Sequence, residues 1–401
     1  MYEISSILDH SLYASFIAAD NCQEPHCRAS RCNAHSLIHP HLPFSKTLPF
    51  SSFTSHLHFL YLTSLFFFSR RELPEMAHNH HPHPVAEAND QSPFGSSTPE
   101  EFCARHSVAH SSAYITNPRG LKLFTQWWTP LPPKEILGIV AVVHGFTGES
   151  SWLVQLTSIF FAEAGFAVCA IDHQGHGFSD GLIAHIPDIN PVIDDCVSFF
   201  DEFRSRFSSS LPAFLYAESL GGAIALLITL RRGQIWNGVV LNGAMCGISA
   251  KFKPPWPLEH LLFLVAAVIP TWRVVPTRGS LPEVSFKEEW KRRLAIASPR
   301  RKVARPRAAT ALELLRVCRE LQERFEEVEV PMLIVHGGDD IVCDPACVEE
   351  LHRRASSKDK TIRIHDGMWH QLVGEPKESV DMVFGDMEEW LRSRVQRARE
   401  N

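Results

Sequence analysis

Phe214-Leu215-Tyr216-Ala217-Glu218-Ser219-Leu220-Gly221-Gly222-Ala223 decides the fold. An apolar run stops at a serine and passes through two glycines into Ala223-Ile224-Ala225-Leu226-Leu227-Ile228, which reads as a helix. A strand that turns this sharply into a helix pushes the serine side chain out of the fold, the geometry of a nucleophile elbow. Neighbours crowd such a turn, so small residues are needed two positions before and two after the serine. Those positions hold Ala217 and Gly221, giving A-x-S-x-G where G-x-S-x-G is usual. Alone, such a pattern is common in loops; its weight comes from the rest of the chain.

Around the elbow, buried strands alternate with helices. Ser112 to Ile115, the turn Asn117-Pro118-Arg119-Gly120 and Leu121 to Trp128 read as a hairpin. Ile136 to Val143 is a continuous apolar run, as expected of a strand covered on both faces, and it ends at His144-Gly145-Phe146. A helix pattern from Trp152 to Ala164, a strand from Phe166 to Ile171 and a helix from Ile193 to Phe207 lead to the elbow, and Gly238 to Asn242 follows its helix. The expected fold class is α/β: a mostly parallel central sheet with helices on both faces. The alternation breaks between Gly247 and Glu326, where prolines, an apolar helix and basic clusters replace strands. It resumes at Val330 to Gly337, adds a strand at Thr361 to Ile364, and closes with a helix from Val380 to Val395. The expected organisation is a core of residues 111–246 and 327–397, a helical cap of 247–326, a polar linker of 76–110 and a dispensable extension of 1–75. A cap across the carboxyl ends of parallel strands would roof the place where ligands collect.

Three strand ends carry chemistry. Ser219 lies at the elbow, Asp340 in Gly337-Gly338-Asp339-Asp340, and His370 in Gly367-Met368-Trp369-His370. The order Ser, Asp, His is the one expected when a serine nucleophile sits on such an elbow. A serine hydroxyl is too weak an acid to attack an ester unaided. His370 would take its proton and later protonate the leaving alcohol, while Asp340 fixes the imidazole and steadies its charge. Asp339 and Asp344 are the competing acids. The amides of Phe146 and Leu220 are the natural pair to receive the oxyanion. His144 and His176 are expected to bond backbone rather than substrate, and Glu218 to point away from the reaction.

His144-Gly145-Phe146, Asp172-His173-Gln174-Gly175-His176-Gly177-Phe178-Ser179-Asp180-Gly181, Ala217-Glu218-Ser219-Leu220-Gly221-Gly222, His336-Gly337-Gly338-Asp339-Asp340 and Trp369-His370 through Gly374-Glu375-Pro376 together resemble the monoacylglycerol lipase-like α/β-hydrolases. The likeness spans residues 110 to 395 and is strongest to the plant branch, which includes caffeoylshikimate esterase. Ala217 and Cys343 depart from the family pattern. The resemblance implies the α/β-hydrolase fold, carboxylic ester hydrolysis through an acyl-enzyme, and neither metal nor cofactor. It maps the nucleophile to Ser219, the acid to Asp340 and the base to His370. The expected substrate is a monoacylglycerol or lysophospholipid-like lipid. The alternatives are a hydroxycinnamoyl ester, acyl transfer to another alcohol, and a non-catalytic ligand binder on the same fold.

Bulk properties agree with a globular enzyme. The chain has 401 residues, 45% of them hydrophobic, and a net charge of −6 argues against a general nucleic-acid binder. Its ten cysteines form no paired framework, so reduced thiols and a cytoplasmic setting are expected. Cys22, Cys27, Cys32 and His35 match no standard zinc spacing. The apolar stretch Phe59 to Phe68 is shorter than the roughly 20 residues a bilayer span requires. Acidic residues precede it, unlike a secretory signal, and organellar targeting by residues 1–75 stays open. Leu261 to Ile269 has three readings: an acyl-pocket wall, a surface for peripheral membrane contact, or packing of cap on core. The basic residues from Lys291 to Arg307 read as a solvated face or as an attraction for anionic headgroups.

Overall fold

The computed structural model describes residues 81–253, 256–276, 280–300 and 305–400. The extension with its cysteines and His35, together with Arg301 and Lys302 of the basic stretch, lies outside the described residues.

Eight strands make one sheet: β1 (Val108–Thr116), β2 (Lys122–Pro130), β3 (Gly138–Val143), β4 (Phe166–Ile171), β5 (Ala213–Glu218), β6 (Gly238–Asn242), β7 (Met332–Gly337) and β8 (Lys360–His365). Their order is β1-β2-β4-β3-β5-β6-β7-β8. β2 pairs antiparallel with β1 and with β4, and the remaining neighbours are parallel. The hairpin is longer than expected, its register running from Val108↔Pro130 to Thr116↔Lys122. Every residue of β3 to β7 is buried, which is why these strands read as unbroken apolar runs.

The helices are α1 (Pro99–Arg105), α2 (Trp152–Glu163), α3 (Asn190–Ser205), α4 (Leu220–Arg232), α5 (Leu258–Val268), α6 (Leu281–Ser285), α7 (Glu289–Ala297), α8 (Ala308–Glu323), α9 (Pro345–Arg354) and α10 (Lys377–Glu400). Ile139, Ala141 and Val143 of β3 join one apolar cluster with α3, α4, α8 and α9. Val140 and Val142, pointing the other way, join a second with α1, α2, α7 and α10. The alternation of side chains along a strand thus divides the core into two layers.

Residues 83–105, expected to be linker, instead fold onto the second layer. Pro84–Glu87 forms a 3-10 turn, His83 and Val85 are buried, and Phe102 is fully enclosed. Thr98 and Glu101 form a capping box at the start of α1: Glu101 N–H donates to Thr98 Oγ1 at 3.2 Å, and Thr98 N–H to Glu101 Oε2 at 2.9 Å.

Between Gly247 and Glu326 the described residues form α5 to α8, and β pairing is confined to an isolated bridge, Ile248 with Cys343. α5 is split by environment. Leu262 and Ala266 pack with Ala308 and Ala311 of α8, whereas Leu261, Phe263, Leu264 and Val268 are exposed. The solvated-face reading fails at Lys291. That side chain is 2% exposed, and its ammonium donates to Val373 O and Glu375 O in the segment just after His370.

Asp172, just past β4, holds the turn that follows. It is fully buried and accepts from Ser150 N at 2.6 Å, Ser150 Oγ at 2.7 Å and Phe178 N at 2.8 Å. Burial pushes its carboxyl above the usual range, against the pull of these donors. Asp172→Ala orphans buried donors and should lower unfolding free energy by about 3 kcal/mol or more, read as an earlier denaturation midpoint in urea.

Candidate active site

Ser219 joins β5 to α4 with φ 54° and ψ −120°. A non-glycine residue held there costs about 1–3 kcal/mol, so the surroundings must fix it. Ser219 N–H donates to Asn242 O at 3.1 Å, and Ser219 O accepts from Gly222 N at 2.9 Å and Met245 N at 2.8 Å. The turn also needs bare backbone. A methyl group on Gly221 would stand 2.1 Å from Val143 O, and one on Gly145 would stand 2.9 Å from Ser219 Cβ. Ala217, by contrast, is accommodated within the buried β5. The departure from the glycine pattern falls where a methyl group fits, and the two positions that demand glycine have it.

The structure brings the three expected residues together. His370 Nε2 is 3.0 Å from Ser219 Oγ, and its Nδ1 is 2.7 Å from Asp340 Oδ2. Asp340 Oδ1 accepts from the amides of Val342 at 2.7 Å and Cys343 at 3.0 Å. Burial alone would push this carboxyl up; the His370 and His336 rings outweigh it and hold the group well below the usual carboxylate range. Asp339 is exposed, and Asp344 caps α9 by accepting from Ala346 N at 3.1 Å. Neither competitor meets the imidazole.

Two supporting residues went unassigned in the sequence reading. His336, at 0% exposure, places Nε2 3.1 Å from Asp340 Oδ2, so two rings converge on one oxygen. Its position near the end of the strand before the acid was the available signal. Glu375 accepts from Trp369 N at 2.6 Å through Oε1 and so braces the loop that carries His370. His144 and His176 bond backbone as expected. His144 Nδ1 lies 2.9 Å from Gly145 O, its Nε2 accepts from His173 N at 3.1 Å, and His176 Nδ1 lies 3.0 Å from Gln174 O. Glu218 accepts from Tyr216 Oη at 2.6 Å.

Phe146 follows Gly145 on the wall of a cavity of about 490 Å³ that also exposes Ser219 and His370. Leu220 is the first residue of α4, directly after the elbow. Asp340, Cys343 and His370 each bring one ligand-capable atom within 4.8 Å of the others. Both ring nitrogens of His370 already lie within hydrogen-bond distance of a protein partner, one at Asp340 and one at Ser219. Burial pushes the Cys343 thiol well above its usual pKa, and that thiol lies beside Ser219.

Comparison with known proteins identifies the family. The family model described as serine aminopeptidase, S33 (Hydrolase_4) matches residues 134–377. Caffeoylshikimate esterase of Arabidopsis thaliana is 34% identical over 307 residues, covering 76% of this chain and 92% of that protein. Monoglyceride lipase of Homo sapiens is 27% identical over 285 residues, covering 70% and 90%. Among solved structures, a soluble variant of monoglyceride lipase from Saccharomyces cerevisiae superposes with a TM-score of 0.63 at 21% identity, covering 71% of this chain and 95% of that one, a likeness of fold. The family model spans more than half of the chain, and the protein belongs to that family as a monoacylglycerol lipase-like α/β-hydrolase.

Proposed function

We propose that this serine-hydrolase-type esterase cleaves monoacylglycerol or lysophospholipid-like lipids through Ser219, Asp340 and His370. The observation that carries the reading is the imidazole of His370, 3.0 Å from one partner and 2.7 Å from the other, on the wall of a cavity of about 490 Å³. Ser219 Oγ attacks the ester carbonyl as His370 Nε2 takes its proton. The oxyanion of the tetrahedral intermediate is received by the amides of Phe146 and Leu220, each such donor lowering the barrier by about 3 kcal/mol. The bond to the alcohol then breaks, and His370 hands its proton to the departing oxygen. Water repeats the sequence on the acyl-enzyme: its proton goes to His370 and its oxygen to the carbonyl carbon, and as the acyl bond breaks His370 returns the proton to Ser219 Oγ, releasing the carboxylic acid. Asp340 stays ionised throughout, holding the Nδ1 proton in place.

The substrate reading rests on the segment 247–326 acting as a cap. Leu262, Val275, Ala311 and Leu314 supply apolar wall suited to an acyl chain. The outward face of α5, with Phe263 57% and Val268 79% exposed, suits a lipid surface for peripheral contact. No helix of the described residues is long and apolar enough to cross a membrane. A second reading, hydroxycinnamoyl ester hydrolysis, draws on the 34% identity to caffeoylshikimate esterase.

A fluorophosphonate probe should label the protein, and Ser219→Ala should abolish labelling; a well-folded wild type that stays unlabelled favours a ligand binder. With Ser219→Ala as blank, kcat/KM for monoacylglycerols or lysophospholipids should exceed that for hydroxycinnamoyl esters, and the reverse order selects the second reading. Asp340→Asn should cost on the order of 10⁴ in kcat with the fold retained. Asp339→Asn should cost little, and an exchange of those two results overturns the acid assignment.

A further inference from the structure

The ester chemistry leaves the cations of the cavity unused. Lys253 and Arg305 line the same space as Ser219 and His370, in a chain whose net charge is −6. Lys253 Nζ has Glu259 Oε1 at 3.4 Å. Arg305 is exposed at the rim, and among the described residues no carboxylate is paired with it.

Two more guanidiniums stand behind Arg305. Arg273 Nη1 donates to Arg305 O and its Nη2 to Ile183 O, both at 2.9 Å. Arg307 Nε donates to the same Ile183 O at 3.0 Å, and its Nη1 bonds Thr271 O. Both side chains therefore rest on neutral carbonyls, and among the described residues neither has a carboxylate partner. Like charges gathered this way repel. Burial and then Arg307 push Arg273 below its usual pKa, and the same two causes lower His185. Val275 and Pro306, which touch the cavity, tie both arginine-bearing segments to its edge. Lys253 is offset by Glu259, and Glu218 lies on the same wall; Arg305, with no paired carboxylate among the described residues and Arg273 and Arg307 close behind it, supplies the positive charge at the cavity that attracts an anion before any contact is made. The same wall carries apolar Leu262, Ala311 and Leu314, so it offers an acyl chain and a charged group separate partners.

We propose that Arg305, supported by Arg273 and Arg307 and joined by Lys253, recognises a carboxylate or phosphate on the alcohol moiety of the ester, so that the protein prefers anionic esters to neutral ones. The inference rests on the ester-hydrolase reading of Ser219 and names the chemistry of the substrate's other end. Arginine suits the task because its planar fork pairs with either oxyanion through two parallel hydrogen bonds.

The test uses matched soluble esters below their aggregation limit. Octanoylglycerol is compared with octanoylglycerol phosphate, and the caffeoyl ester of a hydroxy acid with that of its methyl ester, giving a phosphate arm and a carboxylate arm. Wild type should favour the anionic member of at least one pair. Arg305→Gln should lower the anionic-to-neutral ratio of kcat/KM by about 10- to 100-fold, the loss expected of a charge-assisted contact. Arg305→Lys should retain part of the preference, and added salt should shrink it. A ratio unmoved by Arg305→Gln, with both members falling together, overturns the proposal, because the cations then only hold the rim in shape. A ratio that moves only when substrate is presented in anionic vesicles also overturns it, in favour of a membrane-facing role. If neither member of either pair is cleaved by protein that labels with a fluorophosphonate, anion recognition fails while the nucleophile stands. If labelling fails too, the ester-hydrolase reading falls with it.

Discussion

The close approach of three backbone segments at the elbow is the constraint on which the rest depends. Ser219 can hold φ 54° only because β3 and β5 lie side by side and the chain leaving β3 comes back against the serine. Val143 O occupies the space a side chain at position 221 would take, and Ser219 Cβ the space of one at 145. Glycine at those positions lets strand, turn and loop meet. The serine is thereby presented at the carboxyl edge of the sheet, the same edge to which β7 and β8 deliver Asp340 and His370.

Electrostatics then fixes what those neighbours are. Asp340 lies buried with two amides on one oxygen and two histidine rings facing the other. Burial penalises an ionised carboxylate, and opposing donors can more than reverse that penalty. The outcome is a negative charge kept beside His370 Nδ1, which sets the imidazole with its other nitrogen toward Ser219. The helical segment contributes at a distance. Lys291 reaches from α7 to the carbonyls of Val373 and Glu375, and Glu375 in turn holds the amide of Trp369. The helical segment and the loop bearing the histidine are thus tied together by hydrogen bonds.

Much of this was legible in the chain before any coordinates. Strands buried on both faces announce themselves as unbroken apolar runs, so β3 to β7 were found, and the strand-end positions of Ser219, Asp340 and His370 followed from them. Roles set by a partner distant in sequence were not legible. Lys291 reads as one of several surface cations until its carbonyl acceptors, some 80 residues later, are known. His336 reads as a strand residue until Asp340 is seen to fold back beside it. Residues 83–105 were a different failure: the Thr98–Glu101 capping signal was present, but His- and Pro-rich neighbours hid the few apolar anchors. Ser112 is likewise not the hairpin's beginning, because the polar residues from His110 to Ser112 continue an edge strand that is exposed from His110 through Tyr114.

That stapled stretch bears on how the protein can be handled. His83 packs its ring against Phe160 of α2 and Phe384 of α10, and Val85 and Phe102 are buried in the same apolar cluster. A version trimmed to begin at the sheet would expose the apolar surface that these residues cover on that flank. Starting the polypeptide ahead of His83 keeps that flank clothed, and the boundary chosen for expression decides whether a monodisperse sample or a sticky one is obtained.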